Sequence, residues 1–309
     1  MNIYEIKSGA YSAKINLSRG ANCISLRNSK YSAKILREPD YSGSLDNPYL
    51  YGMPILFPVN RISNARFVFE DREYAFPVNE SATGCYLHGV LHEQEFQMIE
   101  SGTDYVICSY RADKDNPYVG YMQEFEITIS YYLSENGLEQ KTEIINLSDI
   151  NMPIMVGYHT TFNIPFIENQ NVDNLRIYAD VTDYVERNMD TYLPNGKIST
   201  GDEVTVKLQQ EMFKPCEKKI SRHYKIGNSG KMCIFDVNNN IQILYENSKN
   251  MKFRLIYNGN ADSYICLEPQ NCMIDCLNSV LDYEYTGFEY AKPGEKKTYI
   301  SKISIIGGC

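Results

Sequence analysis

The sequence contains no tryptophan and only four histidines in 309 residues. No apolar run approaches the roughly 18 residues of a membrane-crossing helix. The N-terminus, MNIYEIKSGAYSAKINLSRG, lacks the apolar core of a secretory signal. A cytoplasmic protein with no membrane partner is therefore expected. Basic residues are in deficit: 30 Lys and Arg against 39 Asp and Glu give a net charge of −9. That balance argues against a nucleic-acid partner, whose phosphates call for a basic surface. No C-x-x-C or H-x-H spacing occurs, and the one H-x-x-x-H, His88 to His92, brings no further ligand with it, so no metal site is expected, including among Cys266, Cys272 and Cys276. The nine cysteines are scattered and odd in number, and read as reduced thiols. G-x-S-x-G and P-loop motifs are missing too.

Long amphipathic helices are also absent; the best helical candidate is the short VKLQQEMFK, 206–214. What dominates instead is a period of two, in a chain with 26 Tyr and 12 Phe. In FEITISYYLS (125–134), Phe125, Ile127, Ile129 and Tyr131 share one face, and Glu135-Asn136-Gly137 then signals a hairpin. In MCIFDVNNNIQILYEN (232–247), Cys233, Phe235 and Val237 alternate before the asparagine turn, and Ile241, Ile243 and Tyr245 after it. Segments 105–111, 251–257, 264–268 and 298–306 also read as strands. With no linker, repeat or low-complexity block, residues 1–309 are expected to form one large, mainly antiparallel all-β sandwich with few short helices.

Four segments carry chemistry. In VGYHTTFNIP (156–165), alternation places Gly157, His159 and Thr161 on one face and Val156 and Tyr158 on the other. Gly157 suggests close approach of a ligand or another backbone. From this segment alone, a buried histidine satisfied by Thr161 or a carbonyl is the more economical account of His159. In SYICLEPQN (263–271), Tyr264, Cys266, Glu268 and Gln270 share a face. Glu268 is either a sheet-edge residue facing water or a buried group with a task, since burial of an unpaired carboxylate is costly. GMPILFPVNRIS (52–63) ends its apolar run in Asn60-Arg61, which can converge on oxygen acceptors or cap a loop. In CYLHGVLHEQEF (85–96), Gly89 lets the chain turn sharply beside His88. His92, followed by acids, reads as a solvated surface residue, and His223 as peripheral. Two histidines, a glutamate and an arginine fit acid–base chemistry on a polyol.

Taken in order, GMPILFPVNRI, LHG (87–89), GYHTTFN (157–163), LPNGK (193–197), ICLEPQN (265–271) and TGFEYAKPGEKKTYISKISI (286–305) resemble the aldose 1-epimerase (galactose mutarotase-like) family. The resemblance spans residues from about 50 to the C-terminus. It implies a supersandwich of antiparallel strands that binds a monosaccharide in an open cleft. It implies Glu268 as general base, His159 as general acid, and Arg61, His88 and Asn60 as substrate-binding residues, with no cofactor and a monomeric or homodimeric protein. Three departures stand out. Thr160 and Thr161 follow His159 where the family often has proline and an aromatic; Phe96 stands where a tryptophan is common; and the sugar-binding aspartate of larger members has no counterpart assigned in 196–240.

The expected reaction interconverts α and β anomers by ring opening and reclosure. Unperturbed pKa values would leave Glu268 ionised and His159 able to carry a proton near neutrality. Two alternatives share the fold: a hexose-6-phosphate mutarotase, for which Arg66, Arg72 and Arg222 are the candidate phosphate-binding cations, and a sugar-binding protein without catalysis. A glycoside hydrolase would need a second carboxylate, for which Asp275 is the nearby candidate.

Overall fold

The computed structural model describes residues 2–40, 47–259, 261 and 263–307. Two large antiparallel sheets dominate. The first runs, in spatial order, through Gln97–Ser101, Tyr105–Ala112, Phe125–Ser134, Gly137–Asn146, Lys296–Gly307, Ile241–Asn247, Met232–Asp236 and Leu175–Ala179. The second runs through Pro194–Ser199, Val181–Arg187, Ser221–Ile226, Phe253–Tyr257, Tyr264–Gln270, Gly157–Tyr158 and Ile55–Leu56, with Thr161–Asn163 also paired to Tyr264–Gln270. A four-stranded N-terminal sheet, Ile3 to Lys34, packs against the first through contacts such as the Tyr131 hydroxyl donating to the Ala21 carbonyl, 2.8 Å. Among the described residues the only α-helices are Glu203–Gln209 and Tyr283–Thr286.

The period-two reading explains the first sheet. Phe125, Ile127, Ile129 and Tyr131 are all buried, and Ser134 pairs with Gly137 across the Glu135-Asn136 turn. The 232–247 hairpin forms, but its buried face is Met232, Ile234 and Asp236, opposite Tyr245, Ile243 and Ile241. Val237 is exposed. Asp236 can lie inside because the Asn238 and Asn239 backbone amides and the Asn239 and Gln170 side-chain amides all donate to its carboxylate. The helix expected at 206–214 starts earlier and ends earlier. Asp202 caps the Val204 and Thr205 amides, and beyond Gln209 the chain leaves the helix so that Phe213 bridges to Ile177.

The two sheets meet through the inner face of the 157–163 segment. The Tyr158 hydroxyl donates to Thr142 Oγ1 at 3.0 Å, and Thr160 Oγ1 lies 2.8 Å from the Tyr245 hydroxyl. The ring of Phe162 packs edge-on against Tyr245. Thr160 is therefore a polar tie across the interior. The odd-numbered residues of the segment are left on the outer face of the second sheet, as the alternation predicts.

Candidate active site

The ladder register builds the site. Gly157 pairs with Gln270, Thr161 with Cys266, Phe162 with Ile265 and Asn163 with Tyr264. Each pair has the same index sum, so His159 falls directly opposite Glu268, although the strand is interrupted there. On the other side, Leu255 pairs with Glu268, and His223 with Leu255. His159 itself is anchored by its amide, which donates to the Pro54 carbonyl at 3.0 Å. The segment is thus two short strand pieces, Gly157–Tyr158 and Thr161–Asn163, rather than one strand, and His159 sits at the break.

His159 Nε2 lies 3.3 Å from Glu268 Oε1. Glu268 is fully buried, not at a watery edge, and neither of its carboxylate oxygens has a hydrogen-bond partner. Nδ1 of His159, Nδ1 of His88, Nε of Arg187 and Nε2 of Gln270 are likewise buried and unpartnered. Orphaned polar atoms are rare in protein interiors. Their concentration around one cleft marks a place where a polar ligand completes the hydrogen bonding.

Loops supply the opposite wall. Arg61 pairs with Leu87, and the His88 amide donates to the Asn60 carbonyl at 3.0 Å, so the two loops hold each other. Asn60 (φ 61°) and His88 (φ 63°) both adopt left-handed backbone. Arg61 donates through Nε and Nη2 to the two oxygens of Glu80, both at 2.7 Å, and its guanidinium lies over the Tyr192 ring. Asn60 Oδ1 accepts from the Arg61 amide, and its Nδ2 reaches Gln270 Oε1 at 3.4 Å. Tyr49 packs against His88, His92 and His159, with ring centroids 4.7, 4.6 and 6.0 Å away. The resulting cleft, about 300 Å³, is lined by all five residues named from sequence together with Tyr49, Glu80, Arg187, Tyr192 and Tyr257.

Burial controls the electrostatics. It pulls the His159 pKa down to about 4 and that of His88 well below its usual value. It pushes Glu268 well above the usual carboxylate range, opposed by the Arg187 and Arg61 charges. Burial thus disfavours the charged form of both members of the pair, against what unperturbed values suggest. Burial also raises Glu80, but hydrogen bonds from Arg61 and Thr83 leave it below its ordinary value.

Several sequence expectations change. His92 is buried against Tyr49, and His223 is completely buried, stacked on Phe253 and accepting from the Ile274 amide at 3.3 Å. The space beside Gly157 is filled by Val59, the Pro269 carbonyl and Gln270, not by a ligand. Arg66, Arg72 and Arg222 line no part of the cleft and pair with Glu73, Glu70 and Asp202. Asp275 accepts from the Ser63 amide and Asn278, which holds a loop in place. Arg187 was missed. Its Nη2 donates to the Ser221 carbonyl and, at 3.0 Å, to Ser221 Oγ, and burial lowers its pKa to about 10. Nothing local in DYVER distinguishes it from a surface arginine at a strand end.

The structure is thus a two-sheet antiparallel sandwich with a polar cleft on one sheet. The aldose 1-epimerase family model matches residues 2–304, and the chain belongs to that family. Among solved structures, a galactose mutarotase-like protein from Clostridium acetobutylicum is 29% identical, with 98% of this chain and 95% of that chain covered and a TM-score of 0.93. An aldose epimerase homologue from C. elegans (15% identity, 100% and 99% covered, TM-score 0.78) shares the fold. So does a galactose 1-epimerase from Lactobacillus acidophilus (14%, 99% and 95%, TM-score 0.71).

Proposed function

We propose that this protein is a mutarotase acting on a free, unphosphorylated monosaccharide, with Glu268 and His159 exchanging protons with the anomeric centre. The observation that carries this reading is the 3.3 Å approach of His159 Nε2 to a carboxylate whose two oxygens lack partners. O1 and O5 of a pyranose are bonded to the same carbon, so one base and one acid at adjacent positions can serve both.

Ionised Glu268 takes the O1 proton as the C1–O5 bond breaks and C1=O1 forms. Protonated His159 gives its proton to O5. The product is the open-chain aldehyde with a neutral carboxyl and a neutral imidazole. Rotation about C1–C2 exposes the other carbonyl face, and the same proton transfers in reverse close the ring to the other anomer. Ring opening annihilates a buried charge pair, so the desolvation that disfavours both ions favours the aldehyde half of the cycle. Hydrogen bonds from a bound sugar to the charged forms, together with Arg187 and Arg61, favour the closed half. Neither extreme becomes a trap, which suits a reaction that must run equally well in both directions.

His88, Asn60 and Arg61 are assigned to hold the sugar hydroxyls. Arg61 is already neutralised by Glu80, and Arg187 lies beneath the cleft beside Ser221. A phosphate at the mouth would find neither guanidinium free at the surface, which favours the neutral sugar over a hexose 6-phosphate. The cleft volume, near the small end of ligand sites, suits one sugar ring. The retained pair argues for catalysis over sugar binding alone. Polarimetry on glucose, galactose and glucose 6-phosphate, with wild type and Glu268→Gln, tests the reading. Wild type accelerates anomerisation of a free hexose, and Glu268→Gln loses about 10²-fold or more while still binding sugar. Full activity in the variant would sink the assignment.

A further inference from the structure

Cys266, one of the nine cysteines that read as reduced thiols, projects onto the same face as Glu268, two residues along the same strand. Its thiol, His159 and Glu268 each offer a donor atom, and these atoms lie within 4.8 Å of one another. All three residues are buried. We infer that His159, Cys266 and Glu268 form a binding site for a thiophilic divalent cation of the zinc class, seated on the cleft floor where it excludes the sugar. The exclusion rests on the acid–base reading above; the binding does not.

The donor chemistry fits. A cysteine, a histidine and a carboxylate are the ligand types zinc takes, and three protein ligands with one open position make a familiar arrangement. Zinc–ligand bonds of about 2.0–2.3 Å in a tetrahedron place donors roughly 3.3–3.8 Å apart. His159 Nε2 and Glu268 Oε1 already stand at 3.3 Å. The Cys266 thiol lies within 4.8 Å of the other two donors, so closing to zinc distances asks for rotation of the Cys266 and Glu268 side chains. Both carboxylate oxygens are unpartnered, so no existing hydrogen bond opposes that rotation at Glu268. At Cys266 only the 3.3 Å contact to Thr161 Oγ1 has to adjust. His159 and Glu268 both line the cleft, so a cation held between them borders it.

Charge also balances. The three residues ligate as thiolate, carboxylate and neutral imidazole, so two ligand charges offset a divalent cation in a cleft that Arg187 also lines.

Cobalt(II) is the probe, because a thiolate ligand gives it a sulfur-to-metal charge-transfer band. Titrating the full-length protein with cobalt(II) should develop that band at one equivalent, and zinc(II) should displace it. Cys266→Ser should lose the band and weaken uptake about tenfold or more, while the Cys272→Ser/Cys276→Ser double variant should keep both. Circular dichroism melts of Cys266→Ser and Cys266→Ala establish that the variants fold. A wild type without the band, or a band that persists in Cys266→Ser, overturns the metal site. Competition by a mutarotated hexose tests the shared location. If cobalt binds through Cys266 but saturating hexose does not displace it, the metal site stands and the placement of the sugar on Glu268 and His159 fails.

Discussion

Each polar residue in the cleft either has its hydrogen bonds filled by the protein or is held open for something else. Arg61 belongs to the first kind: Glu80 fixes its fork from two directions, and Thr83 steadies Glu80. A guanidinium so held presents its remaining face at little entropic cost. Glu80→Gln should therefore raise KM several-fold with kcat nearly unchanged, like Arg61→Ala but more mildly, in steady-state polarimetry. An equal fall in kcat would instead mean that Arg61 acts on the transition state. Arg187 is of the second kind, with a buried unpartnered Nε and a charge that opposes the effect of burial on Glu268. Removing the charge raises the Glu268 pKa further, so less of the base is ionised at a given pH. For Arg187→Met, the rising limb of kcat/KM against pH should move to higher pH, with Arg187→Lys in between. A profile that stays in place would show that Arg187 does not govern the base.

Strands and turns decide how closely these groups can be set. The His88 loop approaches Phe57 so tightly that a Cβ on Gly89 would stand 1.8 Å from the Phe57 carbonyl oxygen, at a φ of +65°. Gly89→Ala should cost more than the ~1–3 kcal/mol of ordinary overpacking, measured by chemical denaturation, and should displace His88 with it. Gly157→Ala, whose Cβ would meet Val59 at 2.6 Å and the Pro269 carbonyl at 3.0 Å, should cost within that range. A Gly89→Ala protein as stable as wild type would show that the loop can move aside. At this scale the sequence was informative where a pattern is local. The alternation in 125–134, the split of 157–163 into two faces and the stripe Cys266–Glu268–Gln270 all follow from a period of two. The 232–236 strand was misread because its buried face ends in an aspartate, and only distant Gln170 and the following turn make that aspartate acceptable inside. Arg187 and Glu80 were invisible for the same reason: each acquires its role from residues far along the chain.

Across the whole molecule, all four histidines are buried, and burial lowers the pKa of every one, that of His159 to about 4. The unfolded chain takes up protons on them near pH 6.5; the folded chain does so only at lower pH. Between these values the unfolded state binds more protons, so stability falls as pH falls. Glu268, whose folded pKa is raised, works the other way, as one group against four. Carboxylates held below their ordinary values, such as Asp202 and Asp236, reinforce the loss at still lower pH. The melting temperature should drop steadily from pH 7 to pH 5, before most carboxylates titrate; a flat profile there would contradict the buried, neutral histidines. The sandwich itself was legible from the sequence because strand periodicity and turn signals repeat along the chain. The burial of His92 and His223 was not, since it depends on which loop lies over which sheet. The constant index sum that sets His159 against Glu268 has one more consequence. The reacting pair is a vernier on the sheet: a slip of one residue in either strand turns one partner into the core and brings a core side chain out. No misregistered form can be compact and active at once, so heat inactivation and loss of the near-ultraviolet tyrosine signal should trace the same curve.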